Sequence, residues 1–249
     1  MSGHSKWAQI KRQKGANDAK RGAVFTKMGR EIAVAARAGG PDPDGNFRLR
    51  LAVERARAVN MPADNIRRAI ERAIKGGEGE QFEEIHYEGY GPGGVAILVE
   101  AATDNRNRTA ADVRSIFSKG GGQLAGAGAV AWQFEARGVI SIDRTGVDPD
   151  EVALAAIDAG ATDVEPEADP IEVYTEPHDL EAVRSALEKA GVRIESADTS
   201  MVAKQTVHLE PAKARQVLRL VEQLDDLEDV QRVSVNLELS DELLAEVAG

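Results

Sequence analysis

Lys6, Trp7, Lys11, Arg12 and Lys14 crowd the opening MSGHSKWAQIKRQKG, and Lys20 and Arg21 follow shortly after. Between His4 and Arg21 there are six basic residues and one acid, Asp18. Cations at this density suit the phosphate backbone of a nucleic acid, because each ion pair releases a condensed counterion. Trp7 among the lysines offers a stacking face or an indole donor, as single-strand and RNA binders use. Its residue type fits equally well with anchoring the segment onto the rest of the protein.

A second candidate is Thr103-Asp104-Asn105-Arg106-Asn107-Arg108-Thr109, directly before a segment patterned as a helix over 109–119. Thr109 with Asp112 reads as a capping pair. Arg106 and Arg108 beside a helix N-terminus would add their charge to free backbone N–H groups and the helix dipole, which favours an anion. Lys27 and Arg30 lie off the apolar face of an earlier helical pattern and extend the basic surface. Arg48, Arg50, Arg55, Arg57, Arg67, Arg68, Arg72 and Lys75 widen the positive field. Taken singly they are worth little, since acids such as Glu54 and Glu71 stand close enough in sequence to pair with them.

Other chemistries have little to stand on. The chain has no cysteine, which excludes disulfides, thiolate metal ligands and a Cys nucleophile. His4, His86, His178 and His208 share no metal-binding spacing. The glycine-rich stretch 120–128 lacks the GK[ST] ending of a phosphate loop and follows a helix rather than a strand. It reads as a mobile loop able to lie against a partner. No hydrolase or kinase signature is present. The expectation is a binding protein with no metal and no cofactor, not an enzyme.

Charge is unevenly spread along the 249 residues. Residues 1–75 carry 17 Lys and Arg against 7 Asp and Glu, a balance of +10, and the rest carries 14 against 35, a balance of −21, giving the overall −11. A basic segment fused to an acidic body points to a polyanionic partner. No apolar run approaches the ~20 residues of a membrane span, and the basic opening lacks the apolar core of a secretory signal. The cytoplasm is the expected location.

The elements that must carry these residues follow from periodicity. Residues 1–21, punctuated by glycine, read as a flexible basic arm. Helical patterns run over 23–38, 47–59 with Asn46 as cap, and 61–75, making a three-helix bundle over 22–77. Strands are expected at 86–90 and 95–100, with 132–134 as a further short strand. A strand–helix–strand–strand–helix–strand alternation then runs over 139–197, the ferredoxin-like order. The tail repeats strand, helix and strand over 206–239 and is too short to bury a core alone. The predicted class is therefore α+β. It has a bundle, a middle α+β domain formed by 78–134 plus 206–249, and a ferredoxin-like domain inserted at 135–205.

Four ordered blocks carry a family resemblance: GHSKWAQIKRQKGANDAKRGAVFTKMGREI, NMPADNIRRAI, YEGYGPGGVA and TDNRNRT. Together they resemble the YebC/PmpR family over essentially the whole chain. The resemblance implies three domains: an N-terminal helical bundle, a middle α+β domain and a ferredoxin-like insertion. It implies a nucleic-acid-binding regulator of gene expression, since members are described as DNA-binding transcriptional regulators. Mitochondrial relatives are described as translational activators, and some bacterial members act at the ribosome on stalls at proline runs. The basic opening block matches at Lys6, Trp7, Lys11, Lys14, Lys20, Arg21 and Lys27, and the family offers no catalytic residue to carry over. DNA and ribosomal RNA both remain as partners, because the chain shows no evident reading helix with side chains spaced for base edges.

Overall fold

The computed structural model describes residues 18–75 and 82–238, with side chains described from residue 22 onward. Helix α1 spans Asp18–Gly39, α2 Phe47–Ala58 and α3 Ala63–Lys75. Helix α1 reaches back into the segment expected as a flexible arm. Asn46 joins two of these helices. Its side-chain oxygen caps α2 by accepting from the Leu49 N–H at 3.1 Å, and its amide donates to the Ala35 and Gly40 carbonyls, each at 2.8 Å. A side chain at Gly39 would meet Asn46 at 2.8 Å, so this close approach requires glycine. Ile32, Ala35, Leu49, Ala52, Val53, Ala56 and Ile66 form the bundle's buried interior.

Strands β1 (Glu83–Tyr90) and β2 (Ala96–Thr103) pair antiparallel across a Pro92–Gly94 turn, and helix α4 (Arg106–Lys119) and the short β3 (Gln123–Leu124) follow. The chain then builds a second sheet. This comprises β4 (Phe134–Ile142), α5 (Pro149–Asp158), β5 (Asp163–Glu165), β6 (Ile171–Thr175), α6 (Leu180–Lys189) and β7 (Ile194–Ala203). It returns to the first sheet with α7 (Pro211–Asp225) and β8 (Val230–Val235), which pairs antiparallel with β2. The sheet orders are β3-β1-β2-β8 and β5-β6-β4-β7. All neighbours in the second sheet are antiparallel, the ferredoxin-like arrangement, and the class is α+β.

The central strand β2 explains why the first sheet needs cover on both sides. Ile97, Val99 and Ala101 face Val113 and Phe117 of α4 and Val217, Leu220, Val221 and Leu224 of α7. On the alternate positions, Ala96 and Leu98 pack with Val130 and Phe134. Helix α2 is apolar on two sides as well. Phe47 and Leu51 enter the core of the second sheet, while Leu49, Ala52, Val53 and Ala56 stay in the bundle.

Three local expectations are corrected. The strand expected at 132–134 is a single helical turn, Ala131–Gln133, with β4 starting at Phe134. Helix α4 starts at Arg106 and is capped by Asn105, which accepts from the Arg108 N–H at 3.1 Å. Thr109 is therefore inside the helix, buried, and caps nothing. The glycine-rich segment 120–128, expected as a mobile loop, is tied to β1 toward its end, where the Ala125 N–H donates to the Glu88 carbonyl at 2.7 Å. The buried Glu88 carboxylate accepts backbone N–H groups from Gly128 (2.6 Å), Val130 (2.6 Å) and Ala131 (2.7 Å).

Candidate nucleic-acid interface

Of the residues expected to grip a polyanion, Lys6, Trp7, Lys11, Arg12 and Lys14 lie outside the described residues. Lys20 and Arg21 fall in the first turn of α1, and their side chains too lie outside the described residues. Helix α1 thus continues directly out of the basic segment and sets where that segment joins the body.

Further along α1 the cations turn inward. Lys27 is buried, donating to the Asp225 carbonyl at the end of α7 and pairing with its carboxylate at 3.2 Å. Arg30 pairs with Asp229 at 2.6 Å and sits over the Phe82 ring, 5.5 Å from its centroid. Both had been expected at a basic surface. Both instead fasten α1 to the turn between α7 and β8, because that turn gathers Asp225, Glu228 and Asp229 beneath the helix.

Asp229 is the hub of this contact. It accepts from the Thr109 hydroxyl at 2.6 Å, the Thr103 hydroxyl at 3.3 Å and the Arg108 guanidinium at 2.9 Å, in addition to the Arg30 ion pair. Burial alone would raise its pKa. The Thr109 hydroxyl, Arg108 and Arg30 outweigh that and hold it below the ordinary carboxylate value. Arg108, expected at an anion site, is therefore tied to Asp229, and Asp104 pairs with it on its outer side at 2.8 Å. Those two acids raise the Arg108 pKa. Arg106, in the same first turn, stays mostly exposed with Glu83 at 3.6 Å. The two arginines thus separate: Arg106 faces solvent and Arg108 braces the body.

The bundle's arginines divide in the same way. On α2, Arg48 pairs with Glu84 of β1 and Arg50 with Glu181 of α6. Arg55 reaches Glu31 at 2.5 Å and Asp198 of β7 at 2.6 Å. Arg232 of β8 joins the same acids, at 3.3 Å from Glu31 and 2.6 Å from Asp198. Burial would lower the Arg232 pKa, but Asp198, Glu31 and Glu100 raise it instead. Neither Asp229 nor this four-membered cluster was singled out from the sequence, where each member is one more charge among many. On α3, by contrast, Arg67, Arg68, Arg72 and Lys75 are exposed, as is Arg57 at the end of α2. Their partners are local and weak, such as Arg67 with Asp64 at 2.8 Å and Lys75 with Glu71 at 3.4 Å. Among the described residues there is no cluster of His, Cys, Asp or Glu suited to a metal, and no helix is long and apolar enough to cross a membrane.

Two family models match, the TACO1/YebC protein N-terminal domain over residues 5–76 and the TACO1/YebC second and third domain over residues 82–237. The chain belongs to the TACO1/YebC family. A relative from Herpetosiphon aurantiacus is 55% identical over 250 residues, covering 100% of this chain and 99% of its own length. Another from Rubrobacter xylanophilus is 54% identical and covers both chains in full, 100% of each. Both are named "Probable transcriptional regulatory protein". Among solved structures, the conserved hypothetical protein Aq1575 from Aquifex aeolicus superposes with a TM-score of 0.82 at 46% identity, covering 90% of this chain and 93% of that one. The TACO1/YebC N-terminal match takes in Lys6, Trp7, Lys11, Arg12 and Lys14 together with the three helices, so the basic segment belongs to the family's matched region.

Proposed function

We propose that this chain is a nucleic-acid-binding regulator of gene expression that works by binding, without catalysis. In this reading it acts on DNA as a transcriptional regulator and grips the phosphate backbone through Lys6, Lys11, Arg12, Lys14, Lys20 and Arg21. The observation that carries the reading is how the cations divide. Lys27, Arg30, Arg55, Arg108 and Arg232 are engaged by acids of the body. The basic excess of residues 1–21 is separate from that network in sequence, and α3 adds exposed cations of its own. Cations already engaged by buried or half-buried acids make poor phosphate ligands, because a phosphate would have to displace a desolvated partner. Of the two arginines of the 103–109 segment, Arg106, with 66% of its side chain exposed against 46% for Arg108, is the better placed to face a partner. The name shared by the relatives supports the regulatory role.

A backbone grip is sequence-tolerant, so the target is identified by what the protein holds in cells. The test is to crosslink it to nucleic acid in living cells and sequence what is attached. Promoter DNA is the expected result. Dominance of ribosomal RNA would overturn the transcriptional reading and make the chain a ribosome-associated translation factor.

A further inference from the structure

Trp132 is 68% exposed, yet the backbone that presents it is bonded on several sides. Its indole N–H donates to the Ala129 carbonyl at 3.1 Å, and the Tyr90 hydroxyl donates to that same carbonyl at 2.9 Å. Lys204 donates from its ammonium group to the Trp132 carbonyl at 3.0 Å, and its backbone N–H donates to the Gln133 carbonyl at 2.9 Å. Glu88 collects three N–H groups from the preceding turn. Val130 and Phe134, on either side, are buried in the core shared with β2. The ring is thus fixed in place while most of its surface meets water. Its one donor is already taken, so what it has left to offer a partner is its π surface.

We propose that Trp132 is a stacking platform for an unpaired nucleobase, with Lys204 beside it meeting the adjoining phosphate; this rests on the nucleic-acid reading above. Aromatic side chains bind unpaired bases through their faces with little regard to sequence, and a neighbouring cation holds the backbone. Gly126 and Gly128, in the segment that leads to Trp132, have nothing within 4 Å of where a side chain would start, so that segment adds little side-chain bulk. The Lys204 ammonium group beside Trp132 favours a polyanion over an apolar protein surface.

The chain holds two tryptophans, so biosynthetic fluorotryptophan gives two fluorine resonances, and Trp132→Phe identifies the one that belongs to this site. The labelled full-length chain is titrated with single-stranded oligouridylate, single-stranded oligothymidylate and a duplex, each about twelve nucleotides long. Affinities are measured in parallel by anisotropy at fixed salt. The Trp132 resonance should move with the single strands and not with the duplex, and a response to one sugar alone would identify which polymer the platform serves. Trp132→Ala should weaken single-strand binding about 5- to 150-fold, Trp132→Phe should restore most of it, and duplex affinity should not change. A chain that binds single strands while the Trp132 resonance stays still and Trp132→Ala binds as tightly as the parent overturns this inference and leaves the proposed function standing. A chain that binds no nucleic acid at all overturns both. A resonance that moves with purified ribosomal proteins but with neither oligonucleotide makes Trp132 a protein contact and also overturns the inference.

Discussion

Arg55 on α2 and Arg232 on β8 both reach the same oxygen of Asp198, Oδ2, each at 2.6 Å, and both also contact Oε1 of Glu31. Glu31 is on α1 and Asp198 on β7, so this alternating cluster joins the helical bundle to both sheets. Arg184 of α6 adds a second tie to α2 through Glu54 at 2.8 Å. Helix α2 is therefore the piece on which the three parts of the protein meet.

Arg232→Ala should accordingly destabilise the protein by about 3–5 kcal/mol, because it leaves two partly desolvated carboxylates facing each other with one cation instead of two. Arg55→Ala, whose side chain is 28% exposed, should cost less, about 1–3 kcal/mol. Urea unfolding read by circular dichroism gives both numbers. An Arg232→Ala protein within about 1 kcal/mol of the parent would show that the cluster does not hold the parts together.

Asp229 sets an acid limit on the contact between α1 and the α7–β8 turn. Its folded pKa lies below its unfolded value. Its contribution is therefore fully present above the unfolded pKa and is lost as pH falls through the folded one. Asp229→Asn should lower stability near neutral pH and flatten the loss seen below about pH 4. The check is a series of thermal melts across that range. Parallel curves for parent and variant would rule Asp229 out as a source of the acid sensitivity.

Much of this organisation was legible in the sequence, and what was missed shares one cause. The Asn46 cap, the three helical patterns of the bundle and the strand–helix alternation of the second sheet depend on neighbours in the chain, and periodicity exposes them. The inward turn of Lys27, Arg30 and Arg108 depends on acids more than a hundred residues away, such as Asp225 for Lys27 and Asp229 for Arg108. Local spacing cannot choose among 42 acids. The start of α4 was missed for a related reason. Thr103, Asp104, Asn105 and Thr109 are all fit to cap a helix, and Thr109 is withdrawn from the contest only because Asp229 pulls its hydroxyl into the interior. Glu88 reads in sequence as one more strand acid, and nothing local reveals that a loop some forty residues later closes over it.

The division of cations makes a direct prediction for binding. Replacing Lys6, Lys11 and Lys14 together with Ala should weaken nucleic-acid binding and reduce its salt dependence by up to about three phosphate contacts. Arg108→Ala should do the reverse, lowering stability while leaving the salt slope of the folded protein intact. Affinities across a salt series, at a temperature where both variants are folded, separate the two effects. An unchanged slope in the triple variant would remove the N-terminal segment from the interface.

Glu88 offers a way to loosen the Trp132 loop without touching the tryptophan. Burial would raise its pKa, but the N–H groups of Gly128, Val130 and Ala131 together bring it below the ordinary value. The loop's hold is therefore present above the unfolded carboxylate pKa and fades as pH drops through the folded one. Glu88→Gln keeps the shape and removes the charge, and its single carbonyl oxygen replaces only one of the two accepting oxygens while its NH2 faces the other N–H side, at a cost of about 1–3 kcal/mol. Amide hydrogen exchange at Gly128, Val130 and Ala131 should speed up at neutral pH, while amides in the middle of β6 keep their protection. If Trp132 needs its rigid mount to stack, single-strand affinity should fall in this variant in step with the lost protection. Faster exchange with unchanged affinity would mean that the base seats itself on a ring that need not be held beforehand.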